Sequence, residues 1–278
     1  MGENRFATSW ALVLPALIAI ALCFALPVAN VLRLSFVEPV AGFGNYIELV
    51  TEPLFRSIAA TTLRMAATTT LITILLGYLV AYVIAHSPPN LRKWLLLAVL
   101  MPFWLSVLVR AFAWVVLLQR EGMVNSALMA LGVIDKPLAL LRNEIGVLIG
   151  MVHYMVPYAV LPMLSTMLGI DGRLGAAARA CGAGPVRTFL RVFLPLSVPG
   201  IVGATILVFI LSLGFLVTPA LLGGGKVVMV AQYIEFGISE TLNWGIATAL
   251  ATSLLVLVIL SLAIVSRLVP AEKLFGVK

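Results

Sequence analysis

Residues 171–199 read DGRLGAAARACGAGPVRTFLRVFLPLSVP, a polar interruption between two long apolar runs. The stretch holds four arginines, Arg173, Arg179, Arg187 and Arg191, against one acid, Asp171. It also holds Leu174, Cys181, Val186, Phe189, Leu190, Phe193 and Leu194 at near-helical spacing. A plain link between two apolar runs needs no such pattern, so the spacing predicts two short amphipathic helices. Residues 173–181 are rich in alanine, the best helix former, and Gly182-Ala183-Gly184 supplies a glycine stop. Pro185 fits the first turn of a second helix, where its missing N–H costs nothing. That helix is expected to show Val186, Phe189, Leu190 and Phe193 on one face, and Pro195 and Pro199 are expected to end it. The arginines suit an acidic or carbonyl-rich groove on a protein partner. A basic interfacial helix held by anionic lipid is the alternative.

Around this stretch the chain has 278 residues, 62% hydrophobic and 10% charged, with a mean hydropathy of +1.15. Soluble domains run at about 45–50% apolar and about 25% charged, so a soluble globule is excluded. Apolar runs long enough to cross about 30 Å of hydrocarbon occur at 9–32, 58–85, 94–118, 145–168, 200–222 and 244–266. Lipid offers the backbone no hydrogen-bond partner, and no alternating strand pattern is present, so each run is predicted helical. The expected fold class is all-α, a polytopic membrane protein with six transmembrane helices. The first run exceeds the roughly 7–15 residues of a signal-peptide core and no small-residue cleavage site follows, which predicts a retained helix.

Charge sets the expected topology. With both termini on one side, that side takes Arg5, Arg92, Lys93, Arg173, Arg179, Arg187, Arg191, Arg267, Lys273 and Lys278 against Glu3, Asp171 and Glu272. The remaining bases and acids balance, so the whole net charge of +7 lies on one face, which the positive-inside rule makes cytoplasmic. A nucleic-acid partner is not needed to explain it. Cys23 and Cys181 fall in different environments and give neither a disulfide framework nor metal-ligand spacing.

Several chemistries are missing. Gly223-Gly224-Gly225-Lys226-Val227 lacks the spacing and the hydroxyl of a phosphate-cradling loop, so this chain is not expected to hydrolyse ATP. His86 and His153 have no carboxylate at ligand spacing, and no nucleophile–base arrangement accompanies them. His153, beside Tyr154 and Tyr158, lines a pathway or is a hydrogen-bonded packing residue. No Asp or Glu sits mid-span, against ion coupling, so transport would be driven from outside the chain. Arg64 and Arg110 either snorkel or pair near the outer interface, or border a conduit. Candidate pathway residues are Arg64, Trp104, Arg110, Trp114, Tyr154, Tyr158, Glu235 and Trp244. Partly apolar external segments at 33–57, 119–143 and after Gly223 form a receiving surface or tuck against the membrane. Small residues at 59–62, at 66–70, at Gly146 and Gly150, and at Gly200, Gly203 and Ala204 permit close helix packing, within this chain or with a second subunit. Pro157, Pro162 and Pro219 kink their spans, shaping a pore or packing alone.

Ala176-Ala177-Ala178-Arg179-Ala180-Cys181-Gly182, with Val192-Phe193-Leu194-Pro195 some nine residues on, resembles the EAA loop of binding-protein-dependent ABC-importer permeases. The family pattern is E-A-A-x-x-x-G followed by I/V-x-L-P; here Ala176 replaces the leading Glu, removing any contact of that carboxylate. Pro102-Phe103-Trp104, Leu108 to Trp114, Glu121-Gly122, Leu131 to Asp135, Leu161-Pro162, Gly223-Gly224-Gly225 and Asn243-Trp244-Gly245 resemble the spermidine/putrescine-type branch, in the first of its two membrane subunits.

The resemblance implies a type I importer permease fold. Its expected organisation is an N-terminal helix and loop (1–57), a transmembrane domain (58–266) containing a coupling loop (169–199), and a tail (267–278). It implies a second homologous permease completing the pore, two copies of an ABC ATPase carrying ATP-Mg, an extracytoplasmic solute-binding protein, and surrounding lipid. The chain itself would bind no cofactor or metal, would not be an enzyme, and would lie in a bacterial inner membrane with both termini cytoplasmic. ATPase coupling falls on Arg173, Ala176, Ala177, Arg179, Gly182, Ala183, Pro185 and Arg187, with residues 173–186 as a rigid lever between inward- and outward-facing states. The implied solute is a polyamine; an amino-acid derivative, opine or other anionic or zwitterionic solute is the alternative. An ion-coupled carrier is the rival class.

Overall fold

The computed structural model describes residues 13–268. Glu3, Arg5, Glu272, Lys273 and Lys278 of the topology count, residues 9–12 of the first expected span, and 269–278 of the expected tail lie outside the described residues.

The described elements are all helical. In chain order they are α1 (Val13–Val37), α2 (Gly44–Thr51), α3 (Pro53–His86), α4 (Pro89–Leu100), α5 (Val107–Leu117), α6 (Met123–Ala130), α7 (Glu144–Leu168) and α8 (Gly172–Ala180). Then come α9 (Pro185–Leu213), α10 (Val217–Leu222), α11 (Val230–Ser239) and α12 (Trp244–Leu268). Five helices are long and apolar enough to cross a membrane, or six if α4 and α5 form one broken span. They divide into two compact units, one of residues up to Arg56 with Tyr233–Val256, the other of Ser57–Gln232 with the stretch from Leu257 on.

In the first unit α1 is strongly apolar over most of its length, and none of its apolar window is buried, as expected of a helix that faces lipid or another chain. Its end is tied down by polar contacts. Ser35 is fully buried; its hydroxyl donates to the Leu32 carbonyl at 2.6 Å and lies 2.7 Å from the Tyr46 hydroxyl. The Asn45 amide donates to Ser35 O at 3.0 Å and Glu38 O at 2.6 Å, folding α2 back onto α1. A Cβ at Gly245 would meet Glu38 O at 2.5 Å, so the first turn of α12 presses on the same corner.

The second unit is built around α7, 56% of whose apolar window is buried against 33% for α3, α9 and α12. Asn143 starts α7 by accepting from Gly146 N at 3.0 Å. Met151, Met155, Ala159, Val160 and Met163 are fully enclosed, and Pro157 is accommodated in the buried helix. Small residues let neighbours approach. A Cβ on Gly77 of α3 would lie 2.9 Å from the Ala159 Cβ, and one on Gly200 of α9 would lie 2.7 Å from the Thr166 hydroxyl. One on Gly150 would lie 2.6 Å from the methyl of Thr218 in α10. The expected role of small residues in close packing is met inside this chain at Gly150 and Gly200, and Gly77 does the same at a position the sequence reading did not single out.

Two expected spans have different shapes. The run at 94–118 is a broken span: α4 tightens into a 3₁₀ turn at Met101–Trp104 and α5 leaves at 98°. Pro102 removes a backbone donor there and Leu105 is extended, so the helix cannot run through. The fifth span does not start near Gly200. Instead α9 runs unbroken from Pro185 through Pro195 and Pro199 to Leu213. A π turn at Phe189–Phe193 closes with Leu194 N–H on Phe189 O, and this wider turn makes room for the Pro195 ring that would otherwise clash. The helix stops at Gly214, and Pro219 belongs to the separate, short α10.

Candidate functional site

The loop that opened the sequence forms as two helices. The Asp171 carboxylate caps α8 by accepting from Arg173 N at 2.9 Å. At its other end Gly182 N–H bonds Arg179 O at 2.9 Å and Ala183 N–H bonds Ala178 O at 3.0 Å, the paired bonds of a Schellman stop. Gly182 has φ +83°, the left-handed conformation that this stop requires and that glycine adopts freely. Pro185 occupies the first turn of α9.

The apolar stripe expected on one face of the second helix is split lengthwise. Phe189 and Phe193 turn inward against Tyr82, with ring centroids at 5.5 and 5.3 Å. Val186 and Leu190 stay 68% and 52% exposed, as does Leu174 of α8 at 47%. Arg173, Ala176, Ala177, Arg179 and Arg187 are exposed with them. The loop thus carries an outward surface of three aliphatic side chains ringed by arginines, which no described residue covers.

The pathway candidates separate into groups. Arg110 of α5 sets its guanidinium carbon 4.4 Å over the ring of Tyr154 in α7, a cation–π contact. Tyr154 and Tyr158, one helical turn apart, stack with centroids at 5.7 Å and hydroxyls at 3.4 Å. Phe103 closes on Tyr158 and Phe215 on Tyr154, each at 4.8 Å. Trp114 Nε1–H donates to His153 Nδ1 at 3.2 Å, which requires that nitrogen to carry no proton, and the two rings pack edge to face at 5.5 Å. Trp104 lies exposed at the break between α4 and α5. Arg64 pairs instead with Glu144. Glu235, exposed, and Trp244, half-exposed, belong to the first unit.

Sequence reasoning missed Phe215 and the partner of Arg64. Phe215 follows the glycine that ends α9, a position without helical periodicity, and Glu144 lies 80 residues from Arg64. Among the described residues Arg110 has no carboxylate partner, and its buried Nε–H has no acceptor.

Residues 73–273 match the profile of the binding-protein-dependent transport system inner membrane component. The chain belongs to that family. As an inner membrane component of such a transport system, it works with a binding protein and further subunits. It is 35% identical over 234 residues to the spermidine/putrescine transport system permease protein PotB of Haemophilus influenzae, covering 84% of this chain and 80% of that one. To the protein of the same name from Escherichia coli it is 32% identical over 233 residues, covering 84% of each. Its fold matches a chain in the crystal structure of a bacterial alginate ABC transporter in complex with alginate pentasaccharide-bound periplasmic protein. The TM-score there is 0.81 at 20% identity, over 97% of this chain and 96% of that one. The fold is accordingly that of an ABC importer permease, an inner membrane component of a transport system.

Proposed function

We propose that this chain is one of two permease subunits of an ATP-driven, binding-protein-dependent importer for a polyamine of the spermidine or putrescine kind. The reading is supported above all by the Tyr154 face, on which the Arg110 guanidinium already rests. A face that holds one organic cation also suits a polyamine ammonium. The solute in the names of the relatives agrees. A second permease completes the pore, two copies of an ATPase holding ATP-Mg dock on the exposed face of α8 and the start of α9, and a soluble protein delivers solute to the opposite face. Both termini and the coupling loop lie in the cytoplasm. α8, stiffened at both ends by its caps, passes the ATPase movement to α9.

A second solute class has its own observation. Arg110 without a carboxylate, and with an Nε–H lacking an acceptor, suits an anionic or zwitterionic solute. The two readings give opposite outcomes for Arg110→Met in the purified importer with its binding protein. If the solute is a polyamine, spermidine uptake persists and its KM falls severalfold, because a competing positive charge is gone. If the solute is anionic, spermidine uptake is absent in the wild type and the substitution abolishes uptake of the true solute.

Pull-down of the tagged chain from native membranes tests the assembly. A stoichiometric ATPase and a second permease are expected; a chain that comes alone in mild detergent and transports alone in liposomes under an ion gradient would refute it.

A further inference from the structure

Beneath the coupling loop lies a cavity of about 560 Å³ that the aromatic pathway does not use and that shares only Arg179 with the outward docking surface. The last turn of α3, the first turn of α4, the end of α7, α8 and the first turns of α9 line it. One wall is aromatic. Tyr82 and Phe193 meet edge to face at 5.3 Å, and the His86 ring lies 4.1 Å from Tyr82. The other wall carries Arg92 and Arg179. Arg92 is held in place by donating to Ile84 O, Ala85 O and Ser87 O at 3.3, 2.9 and 3.2 Å. Among the described residues neither arginine has a carboxylate within ion-pair reach. Asp171 is also on the wall, but it is exposed and one of its oxygens is committed to Arg173 N–H.

Thr188 gives the cavity its chemical character. The residue is only 7% exposed, it lines the cavity, and its hydroxyl is buried with no hydrogen-bond partner among the described residues. Buried hydroxyls are nearly always paired, because an unpaired one keeps its desolvation cost. A ligand would complete this one. Gly175 keeps α8 bare above the same place: a Cβ there would sit 3.7 Å from Arg179 Nη1 and 3.8 Å from the Thr188 methyl.

We propose that this cavity binds a small oxyanion, the phosphate of an ester or an equivalent headgroup, between Arg92, Arg179 and the Thr188 hydroxyl. Guanidinium donors match oxyanions in charge and geometry, and Tyr82 and Phe193 offer a face to an apolar remainder. The occupant sits directly behind α8, so it stiffens the seat on which the coupling loop rests. Its arrival from the cytoplasm rests on the orientation proposed above; binding itself does not. The same chemistry has two sources, a soluble phosphate ester or the headgroup of an anionic phospholipid.

The test uses the full chain in nanodiscs of phosphatidylcholine, titrated with inorganic phosphate against chloride at matched ionic strength, with Tm as readout. A saturable rise in Tm is expected, lost in Thr188→Val, in Arg179→Gln, and in Gly175→Leu, whose side chain fills the cavity. In discs containing phosphatidylglycerol, a rise that phosphate does not extend, with the same losses, identifies a lipid headgroup as the occupant. Each variant is compared with its own phosphate-free Tm, so general destabilisation is not counted as lost binding. A wild-type chain that gains from neither source, or a gain that survives in all three variants, overturns the proposal. No solute or ATPase is needed, so failure here leaves the importer reading standing, and a failed assembly leaves this site standing.

Discussion

Gly182 is surrounded by open space where a Cβ would project, yet its φ is +83°. Its demand is therefore one of backbone angle alone. Gly182→Ala should cost on the order of 1 kcal/mol, roughly a fivefold increase in local opening, read as faster hydrogen exchange of the amides that close α8. Gly172→Ala, also in open space but without a positive φ, is the control and should slow exchange or leave it unchanged. The glycine stop was legible because sequence and geometry state the same requirement. Ala176 was legible as a departure from the family pattern, and its exposure means that the loop folds without help from that position. The pairing of Arg64 with Glu144 was not legible, since nothing local links the two. Both partners are about half exposed, and an ion pair of that kind contributes about 0–1 kcal/mol.

Among helices, hydropathy identified the spans but proline misled about their ends. Pro195 and Pro199 read as a stop, and the π turn ahead of them carries α9 past both. Pro102 lies inside the run at 94–118 that the sequence marks as one helix, and it marks the break in that run. The difference lies in whether the preceding turn can widen, which single-residue propensity does not record. Close packing gives a sharper test on α9. A Cβ at Gly200 would crowd the Thr166 side chain and the Met163 backbone at 2.7 and 3.0 Å, whereas one at Gly203 meets nothing within 4 Å. Gly200→Ala should destabilise the chain by about 1–3 kcal/mol, and Gly203→Ala should stabilise it by about 0.5–1 kcal/mol. Thermal unfolding of the two variants in the same detergent should move in opposite directions; shifts of the same sign would mean that Gly200 does not touch α7.

For the molecule as a whole, lipid leaves the backbone so few options that the six apolar runs were plain from composition. The division into two units was not, because it joins Tyr233–Val256 to the first 56 residues, a union that no local pattern announces. Topology can be tested with the protein's own thiols. Cys181 stands exposed in the coupling turn and Cys23 lies within α1. A membrane-impermeant maleimide should modify Cys181 in inside-out vesicles and not in intact cells, while Cys23 stays silent in both. Labelling of Cys181 from outside would invert the orientation proposed here.

The π turn at Phe189–Phe193 also bears on how this chain can vary in length. It stores one residue beyond what an α turn needs. Deleting a residue within it lets the helix close as regular α while both flanks keep their facing, provided Pro195 is replaced too, because the narrower turn has no room for its ring. The same deletion inside Leu194–Leu213 would swing everything on one side through about 100°. Deletions inherited along this lineage should therefore travel with loss of Pro195 and collect at those five positions, the one place where this helix can lose a residue and still present the same two ends.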